Sequence, residues 1–202
     1  IEGSKIRREC GADISIISIK EAKKIDPSIN SSIKCAAFCE MDGYVSANQT
    51  GNAYSKALKE NKVKILENYD VSKIDYHKNK YVIIFKNGEK LTASSIILAT
   101  GVNLEKTLKL LQINIKIKCL PQQLIVSERM PKIMDTVVTV ANGKLSLKQF
   151  KNGTVLIGGG WPGIGNIEDN YTETKPENLI GNMMLACHAI PSLKSSRVAR
   201  VW

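Results

Sequence analysis

Ser95-Ile96-Ile97-Leu98-Ala99-Thr100-Gly101 is a nearly unbroken apolar run that stops at a glycine. A run without polar alternation is expected to be a strand buried on both faces, as in a parallel sheet. Upstream, Val71 to Tyr76 and Tyr81 to Phe85 read as strands, and Asn87-Gly88 reads as a two-residue hairpin turn leading into Lys90 to Thr92. A small meander therefore precedes the apolar run. Further upstream, a helical pattern starts at Asn48, carries Ala53, Tyr54, Ala57 and Leu58 on one stripe, and yields near Asn61 to a strand, Val63-Lys64-Ile65-Leu66. Together these form half of a βαβ unit.

The N-terminal part reads as strand, helix, strand. Asp13 to Ile17 is apolar and β-branched, Ser18-Ile19-Lys20-Glu21 fits a capping box, Pro27 halts the helix, and Ile33 to Phe38 resumes a strand before the turn Asp42-Gly43-Tyr44. On the other side of the apolar run, Asn103 caps a short helix, Leu104 to Leu111. Strands are then expected at Ile115 to Cys119, Gln123 to Ser127, Thr136 to Val140, Lys144 to Phe150 and Thr154 to Gly158, with turns at Asn142-Gly143 and Asn152-Gly153. A last helix enters at Pro176, ends near Pro191 and carries Leu179, Ile180, Met183, Met184 and Cys187 as a broad core stripe. The fold class is mixed, α/β with α+β, and one domain is inserted into another. The boundaries are 1–47 and 112–202, mainly antiparallel, around an α/β segment at 48–111.

The chain has 202 residues, 43% of them hydrophobic, which suffices for a sizeable core. Lys and Arg number 29 against 19 acidic residues, a net charge of +10. Only Arg7, Arg8, Arg129, Arg197 and Arg200 are arginines, the side chain favoured for bidentate phosphate or base contacts, and aromatics are 5%. Nucleic acid is therefore not the expected partner. Cys10, Cys35, Cys39, Cys119 and Cys187 form no C-x-x-C pair and read as reduced, which suits the cytoplasm. His77 and His188 stand far apart in sequence, so no metal site is expected, and His188 reads as a structural histidine. No apolar run approaches the ~20 residues a membrane-spanning helix needs. The start, Ile1-Glu2-Gly3-Ser4, reads as a fragment boundary.

Gly158-Gly159-Gly160-Trp161-Pro162-Gly163 satisfies G-x-G-x-x-G after a strand. The dinucleotide fingerprint needs a helix to begin within the glycines, whereas Pro162 and the following residues read as loop. A glycine-rich strand exit permitting close backbone approach is the expectation. Trp161 either walls a pocket or packs.

Asp42-Gly43-Tyr44-Val45 before the helix, Val71 leading the meander, Ala99-Thr100-Gly101, and Leu147-Lys148-Gln149 with Asn152 to Gly159 resemble the D-amino-acid oxidase family of FAD-dependent oxidoreductases. Nearest are its glycine oxidase, sarcosine oxidase beta-subunit and hydrogen cyanide synthase branches. The resemblance covers nearly all the chain as a central slice: part of a Rossmann-like FAD-binding domain, plus a substrate domain with an antiparallel sheet. It implies that Val71 contacts the adenine through its backbone and that Ala99, Thr100 and Gly101 line FAD. It also implies a flavin that takes a hydride from the carbon bearing an amine, so the intact enzyme acts on CH–NH or CH–NH2 donors.

The substrate would be a small amine or amino acid, with a partner subunit possible and no transmembrane segment. The family's Gly-rich βαβ unit and its later flavin-binding stretch fall outside this slice. The expectation is that the 202 residues alone are inactive and do not retain FAD. No arginine matches the anchor expected for a substrate carboxylate, and no catalytic residue is assigned. Lys148 and Gln149 are the candidate substrate contacts; as strand neighbours they point to opposite faces, so at most one faces the flavin. Ala47 stands where a proline is common, and Ser146 near a place where some relatives carry a substrate-facing Tyr. Two other functions stay open: an FAD-dependent hydroxy-acid or glycerol-phosphate dehydrogenase, and a non-catalytic basic module.

Overall fold

The computed structural model describes residues 2–202, which form two compact units. One comprises the described residues up to Tyr44 together with Leu120–Trp202; the other is Val45–Cys119.

The first unit opens with α1 (Glu2–Glu9), a helix that the sequence reading did not anticipate and that buries no residue. β1 (Ser15–Ser18) then leads into α2 (Ile19–Ile25), and β2 (Cys35–Phe38) returns antiparallel to β1 with Ser15 opposite Phe38. The capping box forms as expected. The Glu21 backbone N–H donates to Ser18 Oγ at 3.3 Å, and the Ser18 N–H donates to the Glu21 carboxylate at 2.8 Å.

The second unit contains α3 (Ala47–Glu60), capped by Ser46, and the meander β3 (Val71–His77), β4 (Lys80–Phe85), β5 (Lys90–Ala93). Its tight turn is Lys78-Asn79, both at positive φ (48° and 59°), between the paired His77 and Lys80. The expected two-residue turn at Asn87-Gly88 is instead the longer loop Lys86-Asn87-Gly88. Gly88 N–H donates to the Phe85 carbonyl, and Phe85 N–H to that of Glu89. After the meander come a turn of 3-10 helix at Gly101–Asn103 and α4 (Leu104–Lys109). Asn103 precedes α4 but its side chain makes no capping hydrogen bond.

Neither 63–66 nor 95–100 is a strand, and both are largely exposed. A strand is defined by a backbone ladder, and every strand pair among the described residues is antiparallel, so these two runs have no neighbour to pair with. The expected parallel sheet is thus absent among the described residues. Residues 115–119 are likewise unpaired.

Back in the first unit, β6 (Ile125–Ser127), β7 (Val138–Thr139), β8 (Ser146–Gln149) and β9 (Val155–Gly158) are followed by the small hairpin β10 (Ile164–Asn166), β11 (Tyr171–Glu173). α5 (Pro176–Ala189) starts with its proline at the first turn, where the missing N–H costs nothing, and β12 (Val198–Val201) ends the chain's structure. The large sheet runs β12-β6-β9-β8-β7, antiparallel throughout. One of its faces supplies Ile125, Leu147, Val155 and Ile157, which pack with Leu145, Ala186, Ala189, Ile190 and Leu193 into the main core. The antiparallel expectation for this part is met, and helices and sheets combine in the mixed class anticipated.

Candidate functional site

Alternation along β8 divides its side chains between two environments. Leu147 and Gln149 turn toward the core side, while Ser146 and Lys148 share the opposite face with their cross-strand partners Gly158 and Leu156. On that face Leu124, Ser146, Lys148, Leu156, Gly158 and Gly159 line a depression of about 100 Å³. Lys148 Nζ lies 4.8 Å from the ring centre of Tyr44 and 5.6 Å from that of Phe150, and the two rings meet edge to face at 5.5 Å. Two aromatic faces thus hold a cation at the rim of the hollow.

Gln149 has a different task. Its Oε1 accepts the backbone N–H groups of Ile133 and Met134, at 2.8 and 3.3 Å, and its Nε2 donates to the carbonyls of Pro131 and Gly153, at 3.0 and 3.2 Å. Both lone-pair directions and both N–H groups are committed to the backbone. The side chain ties the 131–134 loop to the β8–β9 hairpin and has nothing left for a substrate. Of the two substrate candidates, only Lys148 has a free polar head.

The glycine-rich exit after β9 behaves as a backbone crossing. A Cβ on Gly159 would sit 2.5 Å from the Lys144 carbonyl carbon, a distance no side chain tolerates. Trp161 packs: its Nε1 donates to the Lys144 carbonyl, and its ring lies where a Cβ on Gly181 of α5 would fall. Nearby, buried Asn182 donates to the Gly158 carbonyl at 3.0 Å, which fixes α5 to the end of β9.

In the second unit Val71 opens β3 opposite Phe85 and is 37% exposed. Around it, Tyr69 meets Phe85 edge to face at 4.9 Å and donates to the Glu89 carboxylate, and that hydrogen bond raises the phenol pKa. Asp70 accepts from Lys86 Nζ at 2.8 Å, which holds its carboxyl below the usual range. Ala99 and Thr100 lie beyond the sheet, exposed, and lead into Gly101. Val71 therefore belongs to the meander, and the 99–101 segment does not.

Among the described residues no hydrogen bond engages the backbone N–H groups of Ser95 to Gly101. Gly101 takes φ +54°, and no atom lies within 4 Å of where its Cβ would project. An open, unpaired main chain ending in a residue without a Cβ can receive a large planar or phosphorylated ligand at close range. These residues fit a flavin nucleotide in that sense. Among the described residues no trio of His, Cys, Asp or Glu is grouped to hold a metal ion, and no helix is long and apolar enough to cross a membrane.

The fold is shared with solved enzyme structures. L-proline dehydrogenase from P. horikoshii superposes with a TM-score of 0.86 at 22% identity, covering 98% of this chain and 54% of that one. Glycine oxidase from Geobacillus kaustophilus gives 0.80 at 17% identity, covering 96% and 51%. L-alpha-glycerophosphate oxidase from Mycoplasma pneumoniae, determined with FAD bound, gives 0.72 at 17%, covering 94% and 51%. The chain thus spans about half the length of these three structures. No curated protein matches it. The family model described as FAD dependent oxidoreductase (DAO) matches residues 2–202, and the chain belongs to that family.

Proposed function

We propose that these residues are the central part of an FAD-dependent oxidoreductase acting on a small amine or amino acid. The observation that carries the reading is the largely exposed stretch 95–101, whose backbone N–H groups are unengaged among the described residues, with open space before Gly101. Val71 would contact the adenine through its backbone; Ala99, Thr100 and Gly101 would line the cofactor. When bound, FAD supplies the acceptor for the hydride that leaves the carbon bearing the amine. Lys148 would attract and orient the substrate carboxylate as a point charge steadied by Tyr44 and Phe150, without the bidentate grip of an arginine. The segments 1–47 and 112–202 would serve the substrate and 48–111 the cofactor.

Titration of the 202-residue chain with FAD is expected to give no stoichiometric binding, because 63–66 and 95–100 lack the strands that would close a pocket around them. A resolved, stoichiometric flavin spectrum would overturn that part of the proposal. In a longer polypeptide that retains FAD, Gly101→Val should lower retention, whereas Val71→Ala, which keeps the backbone, should leave it unchanged. Equal loss in both, or in neither, removes the assignment of these residues.

A second reading, oxidation of a C–OH bond, is favoured by the fold shared with L-alpha-glycerophosphate oxidase. Turnover of the flavin-loaded polypeptide on glycine, sarcosine and proline against 2-hydroxy acids and glycerol phosphate separates the two.

A further inference from the structure

Strand register orders the outer face of the large sheet. Arg200 of β12 stands opposite Val126 of β6, Val126 opposite Leu156 of β9, and Leu156 opposite Lys148 of β8. Opposed residues project to the same side, so these four side chains form one row across four strands. Their chain neighbours Ile125, Leu147, Val155 and Ile157 pack in the main core, which puts the row on the far face. Trp202 and Leu124 exchange backbone hydrogen bonds of 2.8 and 3.2 Å and continue the pattern one row along. Arg200 therefore shares the face of the hollow beside Lys148.

A cation closes the row at each end. The Arg200 guanidinium lies 4.9 Å from the ring centre of Trp202, as Lys148 lies against Tyr44 and Phe150. Neither joins an ion pair among the described residues. The floor between them is apolar: Val126 is 7% exposed although it stands outside the main core, and Leu156 and Leu124 are half-buried. Three strand spacings of about 4.8 Å separate the two backbones by about 14 Å, and both long side chains can reach inward. Two cations without carboxylate partners, facing each other across methyl groups, complement a small molecule that is anionic at both ends and aliphatic between. A monocarboxylate answers only one of them. A nucleic-acid strand needs cations at successive phosphates, and the row offers none between its ends.

We infer that this face selects an amino acid bearing a second carboxylate. Lys148 takes one carboxylate, Arg200 grips the distal one through its planar fork, and the methylene chain lies over Val126 and Leu156. The inference rests on the reading of Lys148 as a substrate contact and narrows the substrate to an acidic amino acid. Arg200 sets specificity and stands away from the reacting carbon.

Titration of the isotope-labelled 202-residue chain with racemic 2-aminoadipate, and with norvaline at equal ionic strength, followed by NMR, tests it without flavin. Saturating shifts of the Trp202 indole N–H and of the Lys148 and Leu156 amides are expected with 2-aminoadipate, at an affinity at least about tenfold above that for norvaline. Arg200→Gln should abolish the difference and Arg200→Lys should keep part of it, with unchanged amide spectra elsewhere showing that both variants are folded. Equal affinity for the two ligands, no saturating shift, or an Arg200→Gln chain that still discriminates overturns the inference. Turnover by a flavin-loaded longer polypeptide separates it from the reading beneath it. Oxidation of neutral amino acids with no preference for the acidic one overturns this inference alone. Oxidation of 2-hydroxy acids and of no amino acid overturns the amine reading, and with it the amino-acid identity assigned here.

Discussion

Asp26, at the end of α2, accepts the backbone N–H of Asp135 at 2.9 Å across 109 residues of sequence. The same oxygen accepts from the Thr136 N–H and hydroxyl, and the other accepts from the Ser28 N–H and hydroxyl. The residue is 1% exposed, so its charge survives burial only because these donors surround it. Burial pushes the carboxyl pKa up; the bonds from Ser28, Asp135 and Thr136 outweigh it and leave the pKa below its ordinary value. Asp26→Ala removes the acceptor and orphans the loop amides, and should cost about 2–4 kcal/mol in urea unfolding.

The pH dependence has a definite sign. A carboxyl with a depressed folded-state pKa contributes stability above its unfolded-state pKa and loses it as pH falls through the folded one. The stability difference between the wild-type chain and Asp26→Asn should be constant near neutrality and shrink in the acid range below the ordinary aspartate pKa. Thermal unfolding followed from neutral to strongly acidic pH checks this; a gap that widens on acidification contradicts it.

Gln149 and Lys148 are adjacent yet should respond oppositely. Gln149→Leu strips four hydrogen bonds from the 131–134 loop and the β8–β9 hairpin, and should destabilise the fold by about 2–3 kcal/mol. Lys148→Met keeps an apolar stem against Tyr44 and Phe150 and should change stability by under about 1 kcal/mol. Denaturant midpoints of the two variants, measured side by side, decide it.

The sequence Phe-Lys-Asn-Gly occurs twice, at 85–88 and 150–153, and builds the same loop each time. The glycine N–H returns to the phenylalanine carbonyl, and the asparagine side chain accepts the N–H two residues on. Gly88 and Gly153 take φ +86° and +90°. A Cβ at 88 meets nothing within 4 Å, whereas one at 153 would lie 2.7 Å from the Met130 carbonyl oxygen. Gly88→Ala should cost about 1 kcal/mol for the left-handed backbone alone, and Gly153→Ala clearly more. Equal losses in thermal unfolding would refute the Met130 contact.

Among the cysteines, partly buried Cys187 has its thiol pKa pushed up by burial, an effect that nearby Lys194 only partly opposes. Cys10 and Cys35 are exposed. Iodoacetamide at mildly alkaline pH, read by peptide mass spectrometry, should label Cys187 well after those two.

Local chemistry made several elements legible. The Ser18–Glu21 capping box, Pro176 at the start of α5 and the alternation along β8 depend on residues within a few positions of one another. Other features could not be read that way. The stripe expected to lie wholly in the core is split, because helical periodicity groups Ile180 and Met184 with Met183 without saying how wide a face the sheet covers. Lys148 was legible as a candidate, but its contact with Tyr44 was not, since Tyr44 lies more than a hundred residues away.

Sequence by itself carried the resemblance to the family and the mixed fold class, because a motif or a periodicity rests on residue type and local order. Tertiary structure decided what each polar group is spent on. It committed Gln149 to the backbone, buried Asp26 under donors from a distant loop, and left the apolar run at 95–100 unpaired. The physical reason is the same throughout: a hydrogen bond or a strand ladder needs a partner in space, and the identity of a residue does not say where along the chain that partner lies.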